Sequence, residues 1–267
     1  MCEEPVRVGS AGLDRRIRKV RVVDVLAEVV EHLDSNQAEL ARRRLVAELV
    51  VVGPGTWVPT TAFQTGPGHL GLLVLDGLLT RDVLLETPLA TELVGRGDLL
   101  RPADRDGQDA PIPFDIAWNV LTPARLAILD AAFARAAGNW PSVVEFILRG
   151  ASNRAHSLAI TLAISHLRGV DVRLLVLLWY LADRWGKVLP EGILVPLNLT
   201  HQTLARLVGA ARPSVTTALR ELAEQERVRR MPNRGWMLYG TPPLTLELAR
   251  KPRRPGAPLE PVIGTAP

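Results

Sequence analysis

Between Leu199 and Tyr239 the chain reads LTHQTLARLVGAARPSVTTALRELAEQERVRRMPNRGWMLY, and its apolar positions recur at helical spacing twice in succession. Thr200 has the chemistry of an N-cap, and Leu204, Leu207 and Val208 then line one helical face. Gly209 ends that helix, because positive φ is inexpensive only for glycine. Pro213 suits the first turn of the next helix, where its missing N–H costs nothing, and Val215, Ala218, Leu219 and Leu222 form the second stripe. Small Ala205 sits where two helix backbones approach each other. Val228–Met231 and Trp236–Tyr239 flank the turn Pro232-Asn233-Arg234-Gly235 and predict a β-hairpin. Any one of these features fits an ordinary helical hairpin. Their coincidence predicts a helix-turn-helix with a β wing.

Upstream the pattern divides. Residues 1–19 lack periodicity and are expected to fray. Val20–Leu33 and Gln37–Val46 read as helices, with Arg42-Arg43-Arg44 as a solvated face near Glu39 and Glu48. From Leu49, short β-branched or Leu-rich runs alternate with Gly and Pro: Leu49–Val52, Leu70–Leu75, Leu78–Leu85, Thr91–Val94, Phe114–Val120 and Arg125–Leu129. Asp76-Gly77 is the clearest hairpin signal, and Arg101–Pro113 reads as a loop. Even spacing of short strands predicts a small antiparallel barrel or jelly-roll-like sandwich. Asp130–Ala137 and Pro141–Gly150 predict short helices and Ser152–Leu167 a longer one. In the last, Ala155, Leu158, Leu162 and Ser165 keep the spacing of a helix that pairs with its twin, while Ile160, Ile164 and Leu167 form a second stripe. Asp171 caps a densely apolar helix running to Trp185, and Ile193–Pro196 is a short strand.

Charge sharpens this division. Pro196–Tyr239 carries seven arginines against three glutamates, whereas the first 195 residues of the 267 are net negative. Positive charge thus collects on the helix-turn-helix, as phosphate binding requires. Mean hydropathy of +0.13 describes a globular chain. The single cysteine, Cys2, excludes an internal disulfide framework, a cysteine-ligated iron–sulfur cluster and a Cys-rich zinc site. Val20–Val30 is broken by Arg21, Asp24 and Glu28, unlike a signal peptide, and Leu174–Leu181 is too short to span a bilayer. A cytoplasmic protein with no membrane partner is expected. Nucleophile elbow, phosphate-loop, HExxH and dinucleotide-binding motifs are missing; Gly66-Pro67-Gly68 and Gly95-Arg96-Gly97 have turn spacing only. An enzyme is not expected.

The order β-roll, long helix, winged helix resembles the Crp/Fnr family of bacterial transcription regulators over roughly Ala47–Tyr239. LTHQTLARLVGAARPSVTTALRELAEQERVRR looks like that family's helix-turn-helix. GLLVLDGLLTRDVLL with LVGRGDLLRP resembles the hairpin and Gly-Asp turn of its effector domain, and VLTPARLAILD the end of that domain. The long N-terminus and WYLADRWG resemble an actinobacterial branch. The resemblance implies an α+β fold: an N-terminal double-stranded β-helix (jelly-roll-like) effector domain, a long dimerisation helix and a C-terminal winged helix-turn-helix. Boundaries follow at 1–46 for a helical extension, 47–140 for the β-roll, 141–169 for linker and dimerisation helices, 170–240 for the winged helix-turn-helix and 241–267 for a disordered basic, proline-rich tail.

Family members that bind cyclic nucleotides place a Gly-Glu pair after the Gly-Asp turn and an Arg-Ser or Arg-Thr pair further on. Those positions fall here on Arg101 and Pro102, and near Phe114 and Asp115. Proline cannot accept a ribose hydroxyl, and Phe and Asp offer no cation to a phosphate, so cyclic AMP is not expected to bind in the usual way. Arg101 alone offers a cation. A haem sensor would need a ligand such as His69; no cofactor is implied, and the effector is open.

The recognition helix is expected from about Arg212 to Gln225, with Arg212, Ser214, Thr216, Thr217 and Arg220 facing DNA. Arg212 is placed for a bidentate guanine contact worth about 1–3 kcal/mol of discrimination. Thr200, His201 and Gln202 bring the first helix's N-terminus to the backbone, and Arg229, Arg230 and Arg234 bring the wing to phosphates. The family's commonest readers carry Glu at Pro213 and Arg at Thr217, so the recognised sequence should differ. A homodimer on a pseudo-palindromic site, with RNA polymerase as a further partner, is the leading expectation. The alternatives are an interaction or sensor module that kept the fold without operator binding, and a true cyclic-nucleotide-dependent regulator.

Overall fold

In Leu72–Leu75 every residue is buried, and alternate residues serve different cores. Leu72 and Val74 face one apolar cluster with Val50, Trp57, Leu100, Trp118 and Leu126. Leu73 and Leu75 face another with Val22, Leu45, Phe133, Trp140 and Val143. A strand covered on both faces needs no polar alternation, which is why this run reads as continuously apolar. The computed structural model describes residues 18–26, 28, 33–59, 68–85, 88–101 and 112–243. Calls on residues 1–17, on much of Val20–Leu33, on most of the Arg101–Pro113 loop and on the tail from 244 lie outside them.

Two compact units emerge: residues 1–166 with 200–212, and residues 167–199 with 213–267. In the first, a seven-stranded antiparallel sheet runs in the order β1 (Arg18–Arg21), β2 (Val46–Val52), β7 (Asp115–Leu129), β4 (Gly71–Leu84), β5 (Pro88–Gly95). β3 (Gly55–Trp57) adds to β7, and β6 (Leu99–Leu100) to β4. The long strands β4 and β7 pair along their whole length, from Gly71↔Leu129 to Leu84↔Asp115. Each takes different neighbours on its two halves: β4 pairs β6 and then β5, and β7 pairs β3 and then β2.

Several sequence expectations are corrected here. Asp76-Gly77 does not turn the chain; it bends β4, with register shifts between Val74 and Leu79. Gly77 has φ +99°, donates its N–H to Asp76 Oδ1 at 2.8 Å, and a Cβ there would stand 2.5 Å from Ala124 Cα. An αL glycine beside a close-packed neighbour is a bulge signal as much as a turn signal, and here the partner strand is continuous. Phe114–Val120 and Arg125–Leu129 likewise belong to one strand, β7. Arg18–Arg21, expected frayed or helical, forms β1, with Val20 inward and paired to Ala47. Among the described residues, the four-residue helix α1 (Val22–Val25) follows and then α2 (Ser35–Arg44), which Asp34 caps.

α3 (Ala131–Ala137) is capped by Asp130, whose carboxylate accepts from Phe133 N–H at 2.7 Å. The two helices expected over 141–167 are one 25-residue helix, α4 (Pro141–Ser165). Gly150 does not break it. A Cβ there would lie 2.7 Å from the carbonyl oxygen of Gly97, so glycine lets the helix approach the Gly95–Asp98 turn.

The second unit is built on α5 (Val170–Trp185), whose residues Leu174 to Trp179 are all buried, as is Leu181. Gly169, at φ +86°, stands at its N-cap, and Asp171 lies in its first turn instead of capping it. A four-stranded antiparallel sheet in the order β10-β11-β9-β8 comprises β8 (Lys187–Leu189), β9 (Gly192–Val195), β10 (Val228–Met231) and β11 (Gly235–Leu238). β8 carries only three residues, two of them exposed, and sequence gave no sign of it.

Candidate functional site

α6 (His201–Val208) begins where Thr200 Oγ1 accepts the N–H of Thr203 at 3.1 Å, a cap worth about 1 kcal/mol. It ends at Gly209, at φ +61°, where Ala210 N–H reaches back to the Ala205 carbonyl at 2.9 Å and closes a Schellman turn. Three residues further on, α7 (Arg212–Glu224) starts with Pro213 in its first turn. Its apolar stripe of Val215, Ala218, Leu219 and Leu222 is buried, while Arg212, Ser214, Thr216, Thr217 and Arg220 are exposed. Arg220 also approaches Glu224 at 3.8 Å along the helix, an exposed pair of little energetic consequence.

On α6, Thr200 and Gln202 are exposed and His201 is half-buried. In the wing, Arg234 N–H closes a turn onto the Met231 carbonyl at 3.0 Å, and Asn233 (φ +57°) and Gly235 (φ +112°) supply the left-handed residues that reverse the chain. Arg229 and Arg234 are exposed. Arg230 has a structural duty: its guanidinium lies 4.9 Å from the Trp236 ring centroid and donates to the Leu199 carbonyl at 3.0 Å. It ties the wing to the stretch preceding α6. The structure thus gathers Ser214, Thr216, Thr217 and Arg220 on one helix face and Arg229, Arg230 and Arg234 in one hairpin.

A second site lies in the β-roll. A cavity of about 300 Å³ is lined by Arg81 on β4, Leu99 and Arg101 at β6, Ile116 and Trp118 on β7, and Ala151 and Arg154 on α4. Behind it, Glu92 is 5% exposed and accepts from Arg154 through both oxygens, at 2.5 and 2.8 Å, while Arg154 also donates to the Leu99 carbonyl at 3.2 Å. Arg81 approaches the same carboxylate at 3.8 Å and stands 6.0 Å from the Trp118 ring centroid. Burial and the positive charge of Arg154 lower the pKa of Arg81, with Glu92 opposing. Burial also works against the charge on Arg154, but hydrogen bonds and charge from Glu92, with Asp98, outweigh it and raise that pKa.

Of the positions singled out for nucleotide binding, Arg101 lines the cavity, Phe114 and Asp115 do not, and Pro102 lies outside the described residues. Sequence reasoning missed Arg81, Glu92 and Arg154, which are brought together from β4, β5 and α4. It also missed Asp82, whose buried carboxylate accepts from Thr91 Oγ1 at 2.5 Å and from Arg206 Nη1 of α6 at 2.9 Å. Among the described residues no group of three His, Cys, Asp or Glu could hold a metal ion. His69 is half-buried, with Nδ1 unpartnered.

A β-roll carrying a long helix and followed by a winged helix-turn-helix defines a two-part class of fold. Residues 172–238 match the Crp-like helix-turn-helix domain. The global nitrogen regulator of Synechococcus elongatus is 29% identical over 109 residues, 40% of this chain and 49% of that protein, so the chain spans about half the length of the curated relative it matches. Among solved structures, a CooA variant from Carboxydothermus hydrogenoformans superposes with TM-score 0.57 at 16% identity, covering 84% of this chain and 94% of that one. A transcriptional regulator of the CRP/FNR family from Thermus thermophilus gives 0.50 at 21% identity, over 76% and 98%. The c-di-GMP-responsive regulator CLP of Xanthomonas campestris gives 0.52 at 17%, over 78% and 100%. The chain carries a Crp-like helix-turn-helix domain and has the fold of the Crp/Fnr regulators.

Proposed function

We propose that the protein is a sequence-specific DNA-binding transcription regulator that acts as a homodimer on a pseudo-palindromic site. The observation that carries this reading is α7: its apolar residues are buried while Arg212, Ser214, Thr216, Thr217 and Arg220 stand exposed on a helix whose core side is already filled. Thr200, Gln202, Arg229 and Arg234 add exposed donors for phosphates, and half-buried His201 lies at the same helix start. Arg230 contributes by holding the wing. The similarity to a global nitrogen regulator and to a transcriptional regulator of the CRP/FNR family supports the same reading.

α4 supports the homodimer. Val144, Leu148, Leu158 and Leu162 are exposed, and with Ala151 and Ala155 between them they follow alternating steps of four and three residues. That is the seam of a paired helix, and a lone chain leaves it in water. The pairing positions expected from sequence, Ala155, Leu158, Leu162 and Ser165, continue this spacing, and the Ser165 hydroxyl donates to the Leu162 carbonyl at 2.6 Å. No helix among the described residues is long and apolar enough to cross a membrane, and a cytoplasmic regulator that contacts RNA polymerase fits the proposal.

Fluorescence anisotropy on DNA from upstream of its own gene, titrated against salt, tests the reading. A dimer that prefers one sequence and loses affinity steeply with salt is expected. Equal affinity for unrelated DNA would sink it.

A further inference from the structure

The outward side of α7 is apolar in its leading half. Val215, Ala218, Leu219 and Leu222 are 0%, 4%, 6% and 3% exposed, and they fix which side of the helix faces inward. At about 100° per residue, the positions opposite that stripe are Pro213, Thr217, Arg220 and Glu224, and each of them is exposed. Ser214 and Thr216 fall on the flanks, nearer the phosphates that line a groove. Arg212 stands at the leading end, where it serves a guanine contact.

The chemistry of the outward strip is narrow. Pro213 has no side-chain donor or acceptor and no backbone N–H, so toward a base it offers only ring methylenes. Thr217 offers one methyl and one hydroxyl. In a helix the carbonyl four residues back can satisfy the hydroxyl, but nothing of that kind satisfies the methyl. No carboxylate or amide stands on this strip ahead of Glu224, so nothing there accepts from cytosine N4 or grips adenine through N6 and N7. Arg220 follows Thr217, and its Nε approaches Glu224 at 3.8 Å, which draws its charge toward the trailing end of the helix. In the major groove, the base feature that matches methylenes and a methyl is the C5 methyl of thymine.

We infer that Pro213 and Thr217 are specificity-determining residues that read thymine C5 methyls by apolar contact. This rests on the DNA-binding function proposed above and names what that surface recognises. One helical turn separates the two residues, about 6 Å along the axis, and base pairs stack about 3.4 Å apart. The half-site therefore carries thymines one or two base-pair steps apart, close to the guanine assigned to Arg212. Each buried methyl is worth about fourfold in affinity. Such contact needs no hydrogen-bond geometry. 5-Methylcytosine presents the same methyl in the same groove, so it substitutes in part for thymine at these positions, and cytosine does not.

The test uses the full chain. Its preferred duplex is selected from random-sequence DNA, and anisotropy then compares that duplex with versions in which each thymine in turn becomes deoxyuridine, which differs only by the methyl. Deoxyuridine should weaken binding about fourfold at one or two neighbouring thymines of each half-site. Thr217→Ser, which removes the methyl and keeps the hydroxyl, should bring the thymine-to-deoxyuridine ratio at one of them close to unity. Thr217→Val, which keeps a methyl, should retain most of that ratio. At the same position 5-methylcytosine should bind about fourfold tighter than cytosine. Thr217 is exposed, and matching thermal melts check that both variants fold. Selective binding that ignores every deoxyuridine, a ratio unmoved by Thr217→Ser, or equal binding of cytosine and 5-methylcytosine would overturn this inference and leave the DNA-binding reading standing. Selection of no preferred sequence would overturn both.

Discussion

The protein keeps two kinds of arginine. Those of the wing and α7, such as Arg229, Arg234 and Arg220, stand in water; those of the roll, Arg81 and Arg154, are 23% and 21% exposed beside a carboxylate that is almost fully buried. The first kind attracts polyanions at a distance and costs the fold little. The second kind is structural until something displaces or supplements its partner. The same side chain thus serves as an antenna in one region and as a keystone in the other, and burial alone decides which.

Substitutions can break that contrast. Glu92→Ala should have the largest effect, because it strands Arg154 and Arg81 in a poorly hydrated site. We expect a loss of about 3 kcal/mol in a denaturant titration. Next comes the Asp82–Arg206 pair, whose partners are unequally buried, Asp82 being 7% and Arg206 37% exposed. Arg206→Ala leaves a buried carboxylate and should cost about 2 kcal/mol, whereas Asp82→Ala leaves a cation that water can reach and should cost about half of that. Equal costs would show that burial does not set the asymmetry.

For the exposed set the readout is DNA and not stability. Arg212→Ala should lower affinity for the preferred site by about tenfold, and relax preference at one base pair, with an unchanged melting temperature. Arg234→Gln is the mildest: affinity should fall alike on all sequences, and the slope of log affinity against log salt should shrink by about one. A sequence-dependent loss on Arg234→Gln would mean that the wing reads bases.

Legibility in the sequence followed locality. The Thr200 cap, the αL residue Gly209, Pro213 and the stripe Val215–Leu222 all lie within one short stretch, and each signal depends on its immediate neighbours. They predicted α6, α7 and the wing closely. In the roll, Asp76-Gly77 has the chemistry of a hairpin, and only the unbroken partner strand β7 turns it into a bend. Gly150 looks like a helix break until the Gly97 carbonyl is seen beside it. The cavity was the least legible part. Arg154 and Glu92 are 62 positions apart and Arg206 and Asp82 are 124 apart, so no spacing rule connects them. Their charges also cancel in any composition count, which hides the site that the exposed arginines advertise.

The ion pair between Asp82 and Arg206 also bears on how this protein can be taken apart. A fragment ending at residue 166 keeps every strand of the roll, the cavity and the Thr91 hydroxyl on Asp82, yet it loses the guanidinium that completes the carboxylate's shell. Such a fragment is a different molecule at the ladder step next to the cavity, and a stability measured on it is not that of the same strands in the whole chain. A complementary fragment beginning at 167 carries Arg206 into solvent with nothing to hold. Cutting the chain between α4 and α5 therefore removes a contact that belongs to the roll's own buried ladder.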